Sequence, residues 1–157
     1  EKEFFDKSHI SGSTRSQICL SLQKDKEVIA ALSMRVPRQG KYKGYLEIAR
    51  FSQALFTNCP GSLSRLLSVA KKYAIEKGYT GIMSYVDRRF GFGSGYESNG
   101  FKKIGVTGID YWYTDCTERF DRFAFRATAG KSEREIAIER SVAKIYGAGS
   151  YIFSVKF

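Results

Sequence analysis

Between Tyr45 and Phe101 the spacing of apolar positions changes twice, and the rest of the chain reads as an elaboration of that stretch. Residues 45–51 alternate and are rich in apolar side chains, which predicts a strand. Asn58-Cys59-Pro60-Gly61 reads as a turn. Ser62 stands as an N-cap, and Leu63, Leu66, Leu67, Val69, Ala70 and Tyr73 recur at helical spacing. Lys77-Gly78 marks the helix end, because Gly accepts the left-handed conformation just past it. Residues 80–86 read as a buried strand that runs into Asp87-Arg88-Arg89 and a glycine-rich patch, Gly91 to Gly95. A short helix ending in Asn99-Gly100-Phe101 closes the unit. Strand, crossover helix and strand of this length predict a parallel pair with a ligand crevice at the strand C-termini.

The flanks follow the same logic. Lys2–Lys7, with Phe4 and Phe5, predicts a short helix, and residues 8–16 a polar loop. Ile18–Leu22 and Val28–Met34 bracket a charged turn and predict a hairpin. Residues 37–43 read as a basic, exposed linker, grouped with Arg35. Downstream, residues 102–106 and 111–114 read as strands. Arg119–Arg126 alternates charged and aromatic residues and reads as another. Ser132 is placed to cap a helix to about Arg140, with Glu133 and Glu135 in its first turn. Gly147-Ala148-Gly149 turns into a final strand, 151–157. The fold class is α/β: a mixed twisted sheet flanked by helices on both faces.

Composition narrows the function. The 157 residues are expected to form a single domain, and 43% hydrophobic residues suffice for a core. The chain opens on Glu1 rather than Met, so a preceding domain, such as a nuclease, is expected to be missing from a fragment. The excess of 26 basic over 16 acidic residues, +10 in all, favours a polyanionic partner, nucleic acid first. Cys19, Cys59 and Cys116 are scattered and odd in number, which suits a reducing compartment. With one histidine and no CxxC pair, no metal site is expected. No apolar run approaches the roughly 18–20 residues needed to span a bilayer, and no membrane partner is expected.

Single residues then suggest chemistry. His9 is the one imidazole and lies in a polar, glycine-containing loop, where it can act as a base or a donor, or serve as an ordinary surface histidine. Asp87 ends a strand, where α/β sites collect, and its structural alternative is an ion pair with Arg88 or Arg89. Ser84 precedes it and can line the same pocket. Arg50 ends an apolar strand with Glu47 on the opposite face by alternation, so it is expected to reach Asp87 or a ligand. Tyr111, Trp112 and Tyr113 beside Arg119, Arg122 and Arg126 suit stacked bases and a phosphate track, or half of these aromatics are core.

Taken together, these motifs resemble a known group. The element order and Tyr96…Asn99-Gly100-Phe101 resemble the GNAT (acyl-CoA N-acyltransferase) fold. Ser8-His9-Ile10-Ser11-Gly12, residues 47–51, Pro60–Leu66, Ser84-Tyr85-Val86-Asp87-Arg88-Arg89, Tyr111-Trp112-Tyr113, Arg119–Arg126 and Ile145-Tyr146 to Gly149 extend the likeness. They resemble GNAT-like domains of phage type, those of the phage Mom DNA-modification family and those associated with phage and homing endonucleases. The resemblance implies acetyl-CoA or another acyl donor held at Gly61, Ser62 and Leu63. That turn departs from the family pattern, with one glycine and a Pro60 that donates no N–H. It also implies a general-acid role for Tyr96, with Asp87 as base or orienter and His9 and Ser11 against base or donor. The expected function is DNA-directed transfer to a nucleobase, adenine in the Mom type, in the cytoplasm of a phage host cell. Arg50, Arg88, Arg89, Tyr111, Tyr113, Arg119 and Arg122 would contact the DNA, whose target base must leave the stack. The alternatives are a non-catalytic DNA-binding module of an endonuclease and an ordinary N-acetyltransferase.

Overall fold

The computed structural model describes residues 1–128 and 130–157. The first half contains α1 (Lys2–Ser8), β1 (Ile18–Lys24), β2 (Glu27–Arg35), β3 (Tyr45–Gln53), α2 (Ser62–Glu76) and β4 (Gly81–Asp87). The second contains α3 (Ser94–Glu97), β5 (Lys102–Val106), β6 (Tyr111–Thr114), β7 (Arg119–Phe120), α4 (Glu133–Glu139), β8 (Ala143–Tyr146) and β9 (Ser150–Lys156). Six strands build the main sheet in the order β1-β2-β3-β4-β9-β5. Among the described residues only β3 and β4 pair in parallel, so the sheet is mixed and the βαβ unit lies at its centre.

Strand alternation sorts the side chains onto two faces. Ala30, Leu32, Met34, Leu46, Ile48 and Ile82 meet Leu66, Leu67, Ala70 and Ala74 of α2 in one buried cluster. Burial of each Leu-sized side chain there contributes about 1.5–3 kcal/mol. On the opposite face α1 packs on β3, with Phe5 buried. Helices therefore cover both faces.

Three local features differ from the sequence reading. The α2 N-cap is Gly61, at φ +74°, and not Ser62. Ser62 is buried, and its hydroxyl accepts from Gln53 Nε2 at 2.8 Å, so it is tied to β3 and not to a helix N–H. In β3 the pairing with β2 skips Ala49: Ser33 faces Arg50, while Met34 faces Ile48. This bulge places Glu47 and Arg50 on one face, where simple alternation puts them apart. Arg35 does not belong to an exposed linker. It ends β2 and pairs with Glu47 across the strands.

After β5 the chain leaves the sheet and returns at β9. Departure and return are pinned together, with Thr107 N–H donating to Ser150 O and Ser150 N–H to Thr107 Oγ1, both at 2.8 Å. The excursion is a lobe with its own sheet, β7-β6-β8, and its own core of Tyr113, Phe125, Ile136 and Ala137. Ser132 caps α4 as expected, in a capping box with Glu135. The long strand expected over Arg119–Arg126 shrinks to two residues. Asp121 accepts from Phe123 N–H at 2.9 Å and turns the chain into a 3-10 helix, Arg122–Phe125. β8 has no counterpart in the sequence reading. Its residues are all exposed and show no buried alternation.

The lobe is also electrically separate. Residues 107–149 carry seven basic and seven acidic side chains, so the whole +10 excess belongs to the body. Among the described residues no helix is long and apolar enough to cross a membrane.

Candidate functional site

The site originates where the parallel pair divides. β3 and β4 are paired from Tyr45 opposite Gly81 to Ile48 opposite Ser84. Beyond that point β3 continues against β2 and β4 continues against β9, so the sheet opens into a wedge at the strand C-termini. The α2 N-terminus and α3 flank it on one face. This is the crevice that the βαβ unit predicts.

Ser84, the last residue of the paired segment, donates to Tyr96 Oη at 3.0 Å. The Tyr96 ring stacks on Phe153 and meets Phe101 edge-on. Asn99 fixes α3 to α2, its Nδ2 donating to Ser64 Oγ at 3.0 Å and to Gly95 O at 2.7 Å. The Asn-Gly-Phe motif thus locks the tyrosine in place. Burial pushes the Tyr96 hydroxyl above the ordinary phenol range, so it keeps its proton at neutral pH. Because Ser84 donates, that proton is free to point elsewhere.

The turn before α2 is closed by one side chain. Gln53 Nε2 donates to Cys59 O and Ser62 Oγ, and Gln53 Oε1 accepts from Cys59 N–H. Gly61 has open space where a Cβ would stand. The N–H groups of Leu63 and Ser64 have no partner among the described residues and remain available to an anion. Pro60 adds none.

The polar loop 9–12 lies over the far end of β3. Arg50 Nε donates to Gly12 O at 2.9 Å, Nη1 to Ala49 O at 2.8 Å and Nη2 to Ser11 O at 3.5 Å. Ser52 donates to Ser8 O at 2.6 Å. Arg50 therefore anchors the loop, and the expected contact with Asp87 is absent: its donors are taken by carbonyls. His9 Nδ1 accepts from Ser11 N–H at 3.1 Å, which leaves the proton of the neutral ring on Nε2. Burial, and then the charge of Arg50, hold the His9 pKa below its ordinary value. His9 is thus arranged as a neutral donor.

Asp87 is engaged by Arg89, which donates from Nε and Nη2 to both carboxylate oxygens. These hydrogen bonds hold its carboxyl below the usual range. A carboxylate so committed orients a ligand better than it abstracts a proton. Asp87 opens onto a cleft of about 470 Å³ between body and lobe, walled by Asp110, Trp112, Arg122 and the Gly147–Gly149 turn. Arg88 donates to Ala148 O at 3.2 Å and secures that turn.

The lobe residues divide. Tyr113 is 2% exposed and donates to Glu133 at 2.7 Å, so it is core and unavailable for stacking. Tyr111 donates to the same carboxylate at 2.8 Å. Arg122 pairs with Asp110 at 3.5 Å. Arg119 lies over Trp112, 4.8 Å from the ring centre. The wedge brings together Ser84, Tyr96, Gly61, Ser62 and Leu63. It does not bring His9, Ser11 or Arg50 to Asp87 by any hydrogen bond. Sequence reasoning missed the buried ion pair of Glu47 with Arg35, on the sheet face opposite Ser84 and Tyr96. Glu47 is 3% exposed, one residue before Ile48 where the pairing ends, and Arg35 binds it at 3.0 and 2.5 Å. A charged residue inside an apolar strand was the available signal.

Solved structures share this architecture. The chain superposes on PaiA N-acetyltransferase of Thermoplasma acidophilum, determined with coenzyme A, with a TM-score of 0.54 and 18% identity. That match covers 89% of this chain and 60% of the other, so the chain spans three-fifths of that neighbour. Ribosomal-protein-S18-alanine N-acetyltransferase of Escherichia coli gives a TM-score of 0.61 at 9% identity, covering 99% of this chain and 84% of that one. An IAA acetyltransferase of Bacillus cereus gives 0.54 at 12%, covering 88% and 77%. No family model matches the chain, and no curated protein matches it in sequence. The fold is that of the GNAT N-acetyltransferases, as expected. The finer likeness to phage Mom-type proteins has no counterpart among these neighbours.

Proposed function

We propose that the protein is an N-acyltransferase that uses an acyl-CoA donor. The observation that carries this reading is the Tyr96 hydroxyl, held by Ser84 at the apex of the wedge and beside the free N–H groups of α2. Those groups suit a donor phosphate: Leu63 and Ser64 offer two unpartnered N–H donors, and Gly61 leaves the approach open. A bound acyl-CoA would supply a thioester carbonyl for an amine to attack and a sulfur that departs as a thiol. The chain's own part is to hold a proton at Tyr96 Oη and to seat the anion on α2. The coenzyme A in the Thermoplasma neighbour supports the donor class.

An ordinary amine acceptor fits this reading most directly. Transfer to a DNA base is the second reading, supported by the +10 charge of the body. Thiol release from acetyl-CoA should appear when the protein meets an acceptor from a panel of a polyamine, peptide N-termini and single-stranded oligonucleotides. Tyr96→Phe should suppress it while acetyl-CoA still binds. If the wild-type chain neither binds acetyl-CoA nor releases thiol with any acceptor, the proposal fails and a non-catalytic module remains.

A further inference from the structure

The basic surplus of the body is not scattered evenly. Part of it is interleaved with aromatic rings in one continuous row. Lys103 on the edge strand β5 lies over the Tyr151 ring at 4.5 Å, and Arg88 lies over the same ring at 5.4 Å. Arg88 adjoins Arg89, which lies 5.3 Å from the Trp112 ring, and Arg119 lies 4.8 Å from that ring. The row therefore runs from the edge of the main sheet, past the end of β4, onto the lobe. Among the described residues Lys103, Arg88 and Arg119 form no ion pair. Only Asp87, on Arg89, offsets its charge. Elsewhere on the lobe Arg122, Lys131 and Lys144 are each paired with a carboxylate, and among the described residues Arg126, Arg134 and Arg140 form no ion pair.

Beside this row the chain exposes two large aromatics. Phe90 is 61% exposed, with Arg89 5.2 Å from its ring centre on one face, and Phe92 is 79% exposed, in the loop directly after β4. The loop is not slack. Phe90 N–H donates to Asp87 O at 3.0 Å, and Gly93 is held against the Phe153 ring. Exposed rings on a fixed loop cost solvation without helping the core.

We infer that this row is a docking track for single-stranded nucleic acid, with phosphates on Lys103, Arg88 and Arg119 and unstacked bases on Phe90 and Phe92. Unpaired cations spaced along aromatics match a polyanionic backbone, and exposed rings match bases that a duplex would hide. The track differs from a face built on Tyr111, Tyr113 and Arg122, which the fold has committed to internal contacts. It stands whether or not the wedge transfers acyl groups.

Fluorescence anisotropy of a labelled single-stranded 15-mer and of its duplex, measured across a salt series, tests it. The single strand should bind more tightly, with log K falling as log salt rises by about 0.7 for each phosphate engaged. The double variant Arg88→Gln/Lys103→Gln should reduce that slope by about 1.4. Phe92→Ala should weaken binding about fivefold or more at an unchanged slope. Circular dichroism of each variant should match the wild type, since these side chains lie outside the core. Absence of single-strand binding, equal affinity for the duplex, or equal competition by polyglutamate would overturn the inference. So would a slope that is insensitive to Arg88→Gln/Lys103→Gln.

Discussion

The guanidinium of Arg50 donates to the carbonyl of Gly12 at 2.9 Å, joining residues 38 positions apart. With Ala49 O and Ser11 O it makes Arg50 the clasp of the His9 loop. Arg50→Ala should cost about 1 kcal/mol, because partly buried carbonyls lose a charged donor. Amides of residues 9–14 should exchange faster while the α2 core stays protected. The His9 titration, followed by NMR, should also move. Burial and the Arg50 charge now hold it below the ordinary value of about 6.5, so the neutral ring is favoured in the fold. Its contribution is complete above the unfolded pKa and is lost as pH falls through the folded one. In Arg50→Ala the midpoint should rise, and the acid-side loss of stability should shrink.

Tyr96→Phe keeps the ring on Phe153 and Phe101 but removes the proton at Oη. The melting temperature should change little, and turnover should fall about 100-fold or more with acyl-CoA affinity kept. Burial has raised the Tyr96 pKa, so the alkaline limb of the rate profile should lie above about 10. Ser84→Ala should bring that limb to lower pH only if its hydrogen bond does not stabilise the phenolate. Because Ser84 lowers the Tyr96 pKa, the limb should instead move up.

Much of this was legible in the sequence. The period of 3.6 over α2, the alternation of β3 and the buried apolar run of β4 gave the parallel pair and its crevice, because each is a local apolar pattern. Ser132 and Glu135 gave the start of α4, because a capping box is local. What failed was non-local. The bulge at Ala49 moved Arg50 to the face of Glu47, and no spacing rule anticipates one extra residue. The aromatic alternation after Arg119 was genuine, but Asp121 competes for the backbone and ends the strand. Tyr113 read as a stacking surface because burial in a second, separate core was invisible until β8 closed it.

Gly93 is the N-cap of α3 at φ +87°, and a Cβ there would run into the Phe153 ring. Gly93→Ala therefore carries both left-handed strain and overpacking, together about 2–4 kcal/mol. The larger effect should be functional. α3 carries Tyr96, so a displaced α3 takes its hydroxyl away from Ser84. Thermal unfolding should report the stability loss, and turnover should fall by more than the folded fraction does. A drop in activity that only tracks folding would mean that α3 placement does not limit turnover.

Ser132 tests the independence of the lobe. Its hydroxyl accepts from Glu135 N–H, and the Glu135 carboxylate accepts from Ser132 N–H at 2.7 Å. Ser132→Ala removes one half of this box and should cost about 0.5–2 kcal/mol. That cost should fall on the lobe alone, because its core of Tyr113, Phe125, Ile136 and Ala137 is separate from the α2 core. The tie between Thr107 and Ser150 anchors the lobe without depending on α4. Hydrogen exchange should therefore quicken through α4 and β6, while β2, β3 and β4 keep their wild-type protection. Exchange that quickens equally in both cores would mean that body and lobe unfold as one unit. The cleft at Asp87 would then be a fixed pocket within one cooperative structure, and not a seam between two.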